Sequence, residues 1–280
     1  MKSETIQEKL RILEQTNNIR ILYAAESGSR AWGIESVDSD YDIRFVYVRP
    51  TLNYLGNHPA ADTIELLDGD LDFEGWDLRK TFHLLEKGNV TQLEWLASPI
   101  VYRECVAELR DVAGAFMRWN HDISHYYGLT KRIYMDCLKD HDEWPLKKAL
   151  YAVRSMMMTR RMGCLSLLGS AHKHELPPIS FQSIMDIVFS STETYQVVAE
   201  LLDTSTSKIG DLTIREILSQ WLGIKRSGGE VMTVPTNRRI EEQIEKDLLL
   251  AHSMAQSHVI AIKPSSLSRA DHFIQRVILG

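Results

Sequence analysis

The 280-residue chain is 44% hydrophobic and 25% charged, carries a formal net charge of −6 and has no repetitive or biased tract. That composition belongs to a globular protein able to enclose a substantial core, in one large domain or two ordinary ones. It argues against broad electrostatic coating of nucleic acid, which needs clustered Lys and Arg, although a local basic patch is compatible with it. No segment approaches the roughly 20 uninterrupted apolar residues that cross a bilayer, and "MKSETIQEKL" lacks the apolar stretch of a secretory signal. No membrane partner and a cytoplasmic location are expected. Cys105, Cys137 and Cys164 are odd in number and show no CxxC spacing, so buried thiols are expected rather than a disulfide framework or a zinc site.

In chain order, Ser3 is placed to cap a first helix whose Ile6, Leu10 and Leu13 form one apolar face. "IRILYAA" (19–25) reads as a strand ending before the Gly28-Ser29 turn, and a second strand spans 41–48. On that second strand Tyr41, Ile43, Phe45 and Tyr47 alternate with Asp40, Asp42 and Arg44. Asp68-Gly69 marks a hairpin with a type I′ turn, whose return strand carries Asp70, Asp72 and Glu74 on one face. Asp77 caps a helix running to Gly88, and "TQLE" (91–94) fits a capping box opening another. Beyond about residue 104 the pattern changes to long amphipathic segments at 105–118, 121–140, 145–168, 180–202, 211–223 and 236–257, and strand signals nearly vanish. The expectation is an α+β fold: a small mixed sheet with flanking helices over residues 1–104, followed by a mainly α-helical domain over 105–280.

Chemistry concentrates in "SGSRAWGIESVDSDYDIRFVYV" (27–48). A Gly-Ser turn between a strand and a short helical segment presents backbone N–H groups and a hydroxyl suited to phosphate oxygens, and Arg30 adds a fork of donors. Asp40 and Asp42, two residues apart, bring both carboxylates to one face, and hard oxygen ligands completed by water and phosphate suit Mg²⁺. A divalent cation between them would offset their repulsion. A third carboxylate from the hairpin would serve a second ion or deprotonate a nucleophile. Asp72 is the leading candidate, Asp70 the register alternative and Glu74 a third, since a shift by two residues keeps the same face.

"GSRAWGIESVDSDYDIR" resembles the signature of the DNA-polymerase-β-type nucleotidyltransferase superfamily, Gly-Ser followed about ten residues later by Asp-x-Asp. More closely, this stretch and "WDLRKTFHLLEKGNVTQLEWLASPIVY" (76–102) resemble the bacterial and phage predicted nucleotidyltransferases called the RNA repair pathway DNA polymerase beta family. The resemblance implies transfer of a nucleoside monophosphate from an NTP, ATP among the candidates, with release of pyrophosphate. It implies that Gly28 and Ser29 hold the β and γ phosphates beside Arg30, that Asp40 and Asp42 bind Mg²⁺ or Mn²⁺, and that Asp72 is the third carboxylate. The acceptor would be an RNA or tRNA 3′ end, a protein hydroxyl or a small molecule.

Other features read more plainly. Asp38 closes the loop; Arg44 forms a salt bridge or touches substrate; Arg79 and Lys80 approach the nucleotide or are solvated. His121 and His125 share a helix face without the further ligands of a metal site, and "HKHELPP" (172–178) reads as a loop. The basic residues Lys147, Lys148, Arg154, Arg160 and Arg161, and those around "KRSGGEVMTVPTNRR" (225–239), read as solvated faces or substrate contacts, the latter group on a Gly-rich loop. Met156, Met157 and Met158 read as core. Two rival functions stand beside the enzyme: a non-catalytic nucleotide-binding regulatory module, and an antitoxin-like protein whose helical half docks a partner.

Overall fold

The computed structural model describes residues 2–57, 60–168, 176, 178–190, 208–228, 232–256 and 262–280. Helix α1 (Lys2–Asn17) leads into β1 (Arg20–Glu26), the short helix α2 (Gly28–Trp32) and β2 (Tyr41–Val48). Then come β3 (Thr63–Asp68), β4 (Leu71–Asp77), α3 (Leu78–Glu86), α4 (Val90–Leu96) and β5 (Val101–Glu104). The five strands form one mixed sheet in the order β3-β4-β2-β1-β5, with β2 and β4 parallel and the other neighbours antiparallel.

Alternation along the strands builds a layer on each side of the sheet. Ile43, Phe45 and Tyr47 of β2 and Leu71 and Phe73 of β4 pack beneath Ile6, Leu10 and Leu13 of α1. Gly75 leaves room for that packing, because a Cβ there would lie 2.0 Å from the Phe45 ring. In β1 a bulge between Ile21 and Tyr23 adds Leu22 to the count, so Ile21 and Ala24 face α1 while Leu22, Tyr23 and Ala25 face the opposite layer. There Val46 and Val48 meet α3 and α4 through Leu78, Phe82, Leu93 and Leu96. The same face of β2 and β4 is apolar at one end and carries Asp42, Arg44, Asp72 and Glu74 at the other.

The remainder is helical: α5 (Glu108–Gly114), α6 (Trp119–Ile133) with a π-helical turn at Tyr134–Leu138, α7 (Leu146–Leu168), α8 (Phe181–Ser190), α9 (Lys208–Ser227), α10 (Arg238–Ala255) and α11 (Pro264–Leu279). Its core is continuous with the upper layer of the sheet; a single apolar cluster runs from Leu22 through Met156, Met157 and Met158 to Val277. Polar links cross the same boundary. Arg154 donates to Glu94 of α4 at 3.0 Å, and Arg20 donates to the carbonyl of Val277 at 3.0 Å. No helix among the described residues is long and apolar enough to cross a membrane.

Several local expectations are corrected. Helix α1 already includes Lys2, so Ser3 lies in its first turn rather than capping it. The hairpin turn has positive φ at Gly69 alone, whereas type I′ requires it at both central residues, so the sign pattern is that of type II′. Asn89, not Thr91, caps α4 by accepting from the N–H of Gln92. Cys105 is exposed and Cys137 half-buried, and the side chain of Cys164 lies outside the described residues. A short strand pair, β6 (Glu143–Pro145) and β7 (Thr233–Pro235), joins segments far apart in sequence, and α11 was not anticipated. Residues 191–202 of the predicted 180–202 helix, and most of "HKHELPP", lie outside the described residues.

Asp122, in the first turn of α6, is 1% exposed and accepts from the N–H of Arg118 at 3.1 Å, reaching back as a capping-box side chain does. Burial pushes its carboxyl from 3.8 up to about 7. Below 3.8 both folded and unfolded chains hold this proton; between 3.8 and about 7 only the folded chain does, so this group's contribution to stability is lost as pH rises through that window. Urea unfolding should show Asp122→Asn gaining on the parent between pH 4 and 7.5, by up to roughly 4 kcal/mol at one pKa unit per 1.4 kcal/mol. Parallel pH profiles for the two proteins would contradict this.

Candidate active site

The parallel pairing of β2 with β4 sets Asp42 directly beside Asp72 and Arg44 beside Glu74. Like charges in such positions destabilise a sheet unless offset. Here the guanidinium of Arg44 offsets them: Nη2 donates to Asp42 Oδ1 at 3.1 Å and Asp72 Oδ2 at 2.8 Å, and Nε lies 3.8 Å from Glu74 Oε2. Arg44 therefore forms a salt bridge, as one of its two readings held. Burial pushes the Asp42 carboxyl up; Arg44 and Lys147 pull it down, while Asp72 and Asp40 raise it further. Asp40 precedes the strand and is exposed, near enough to act on Asp42 through space.

The turn after β1 closes over this pair. Ser27 N–H donates to the carbonyl of Asp42 at 2.7 Å, and Gly28 adopts φ +56° with its α-carbon against the Asp42 carboxylate. A Cβ at Gly28 would lie 2.1 Å from Asp42 Oδ2. Ser29 is buried in α2, whose first N–H groups have no partner within the helix. Arg30 bends back instead: Nη2 donates to the carbonyl of Ser39 at 2.6 Å, Nε to that of Asp40 at 3.0 Å, and the guanidinium lies 3.8 Å from the Tyr41 ring centre. Its fork fastens the loop that delivers Asp40.

Beneath the site, Glu26 is 1% exposed, accepts from the N–H of Asp42 at 2.7 Å and from the hydroxyl of Tyr102, and has its carboxyl pushed up by burial. The helical part also reaches the site and its loop. Lys147 begins α7 and acts on Asp42; Tyr151 packs edge-on against Trp32 at 5.1 Å, and the Arg154 guanidinium lies 4.1 Å from the Trp32 ring centre. Lys225, 1% exposed, donates to Ser36 Oγ at 3.0 Å, and Arg226 to the carbonyl of Gly33 at 2.9 Å. So Arg154, Arg160 and Lys225 are buried rather than solvated, and Lys225 and Arg226 end a helix. Glu26 escaped the sequence reading as a site residue, its signal being a lone Glu closing a buried strand, whereas Lys147 was among the basic residues read as solvated faces or substrate contacts.

Other candidates stand apart. Asp70 lies in the hairpin turn, 2.6 Å from Lys2 Nζ, which holds its carboxyl below the usual range; Asp72 is the carboxylate beside Asp42. Arg79 and Lys80 line a cavity of about 770 Å³ with Arg49, Tyr54 and Asp77, at the other end of β2. Among the described residues, no three His, Cys, Asp or Glu side chains are grouped to hold one metal ion, His121 and His125 included. Asp42 and Asp72 offer two hard carboxylates from adjoining strands. That is the donor number Mg²⁺ accepts when water and substrate phosphates complete its shell, so the residues fit such an ion.

A small mixed sheet with an Asp-x-Asp strand beside a Gly-Ser turn is the organisation of the polymerase-β-like nucleotidyltransferase class. Over residues 2–209 the chain matches, and it belongs to, the RNA repair pathway DNA polymerase beta family. It is also 36% identical, over 208 residues covering 72% of this chain and 76% of the relative, to "Uncharacterized protein YcgL" of Bacillus subtilis (strain 168). No solved structure matches it.

Gly28 carries two constraints, a left-handed backbone and the neighbouring carboxylate, whereas Gly69 at φ +63° has nothing within 4 Å of a built Cβ. Gly69→Ala should cost roughly 1 kcal/mol for the backbone alone. Gly28→Ala should cost roughly 2–4 kcal/mol, because Asp42 must also move. Denaturant midpoints compare the two, and equal losses would show that Gly28 is there for its φ only.

Proposed function

We propose that the protein is a divalent-metal-dependent nucleotidyltransferase that moves a nucleoside monophosphate from an NTP to an acceptor hydroxyl and releases pyrophosphate. The observation that carries this reading is the side-by-side register of Asp42 and Asp72 with Gly28 closed onto Asp42. It supplies paired carboxylates with the Gly-Ser turn packed directly against one of them. In this reading the turn at Gly28 and Ser29 receives the polyphosphate, and Asp42, with Asp40 at its edge, holds the metal, Mg²⁺ or Mn²⁺. Asp72 completes the carboxylate set and accepts the proton of the incoming hydroxyl. When bound, the ions would neutralise phosphate charge and polarise the attacked phosphorus. Arg30 acts indirectly, by holding the loop that carries Asp40.

The acceptor in this reading is an RNA or tRNA end, in keeping with a family named for RNA repair, with a protein hydroxyl or small molecule as the alternatives a labelling experiment separates. The rival of a non-catalytic nucleotide-binding module draws on one observation, that Arg44 already occupies Asp42 and Asp72. Incubation with each α-labelled NTP, Mg²⁺ or Mn²⁺, and total cell RNA or lysate should yield a labelled acceptor and free pyrophosphate. Asp42→Asn and Asp72→Asn should each lower that yield by roughly 100-fold or more, the scale for removing a group that stabilises transition-state charge. Nucleotide binding without pyrophosphate release would favour the rival module.

A further inference from the structure

Arg44 bridges the two facing carboxylates. Nη2 is shared by Asp42 Oδ1 and Asp72 Oδ2, Nη1 donates to the backbone carbonyl of Asp72 at 3.1 Å, and the side chain is only 13% exposed. Neighbouring cations are placed differently: Arg30 is engaged with the Ser39 and Asp40 carbonyls, and Lys147 acts on Asp42 through space. Arg44 fills one lone pair on each carboxylate, at Asp42 Oδ1 and Asp72 Oδ2, and sets its positive charge between them. A divalent ion placed between the same carboxylates would meet that charge, so cation and guanidinium compete there. The displaced group is a planar fork, and that fork matches a phosphate as well as it matches a carboxylate.

We infer that Arg44 is a displaceable counter-ion, holding Asp42 and Asp72 together in the nucleotide-free protein, yielding them to the divalent cation, and transferring its fork to the incoming polyphosphate. This rests on the nucleotidyltransferase reading above. It assigns Arg44 opposite effects on two ligands, since its departure frees metal-binding oxygens while its new contact binds phosphate. A residue that only maintained the fold would, on removal, weaken both.

Mn²⁺ titration followed by the free-ion paramagnetic resonance signal, without nucleotide, tests the first effect. Calorimetric titration with inorganic tripolyphosphate at saturating Mg²⁺ tests the second. Arg44→Gln should bind Mn²⁺ about 10-fold tighter than the parent and tripolyphosphate about 10-fold more weakly, a coupling of ordinary size. Arg44→Lys, which keeps the charge and loses the fork, should hold Mn²⁺ near the parent affinity yet still lose tripolyphosphate, and serves if the glutamine variant does not fold. Unchanged or weakened Mn²⁺ binding in Arg44→Gln, with Asp42→Asn still abolishing it in the parent, overturns the inference and leaves the enzyme reading intact. Absence of Mn²⁺ uptake in every variant overturns both.

Discussion

Two aspartates held side by side on parallel strands, one of them partly buried, are an electrostatic liability that the rest of the site is arranged around. Desolvation and the neighbouring carboxylates all disfavour the charged form of Asp42. Arg44 supplies the nearest compensation, and Lys147 adds to it from the helical part. The backbone of Asp42 is fixed as firmly as its side chain, with its N–H on Glu26 and its carbonyl receiving Ser27. Gly28 can approach only because it lacks a Cβ. A charge cluster assembled at this cost in desolvation, with its backbone and side chain both held, fits the metal-dependent transfer proposed above.

The helical part belongs to the same body as the sheet. Arg154 reaches back to Glu94 and over Trp32, and Lys225 and Arg226 grip Ser36 and Gly33 in the loop that ends at Asp40. The buried Arg154–Glu94 ion pair contributes little net stability, because desolvation consumes much of the attraction; what it fixes is relative position. Helix α11 returns to the first part, with Phe273 against Phe82 and the carbonyl of Val277 accepting from Arg20. The apolar core runs unbroken across residue 104, and α7 thereby brings Lys147 near enough to lower the carboxyl of Asp42.

Much of the fold was legible locally. The span of β2, the hairpin pair, the cap at Asp77, the apolar stripe of α1 and the buried methionines all follow from periods of 2 and 3.6 and from capping chemistry. The helix at 264–279 carried a similar stripe in Ala270, Phe273 and Val277, and its signal was present but unread. The Gly-Ser and Asp-x-Asp elements were equally visible, since their spacing along one chain segment is fixed by covalent geometry. By itself, then, the sequence determined the elements, the sheet-plus-helices class and the first carboxylates. The tertiary structure alone decided that Asp72 rather than Asp70 lies beside Asp42, that Arg44 joins them, that Arg30 serves the loop, and that Glu26, Lys147 and Lys225 take part. Those outcomes depend on which strand pairs with which and in what register, and that is settled by burying apolar faces contributed by residues far apart in the chain.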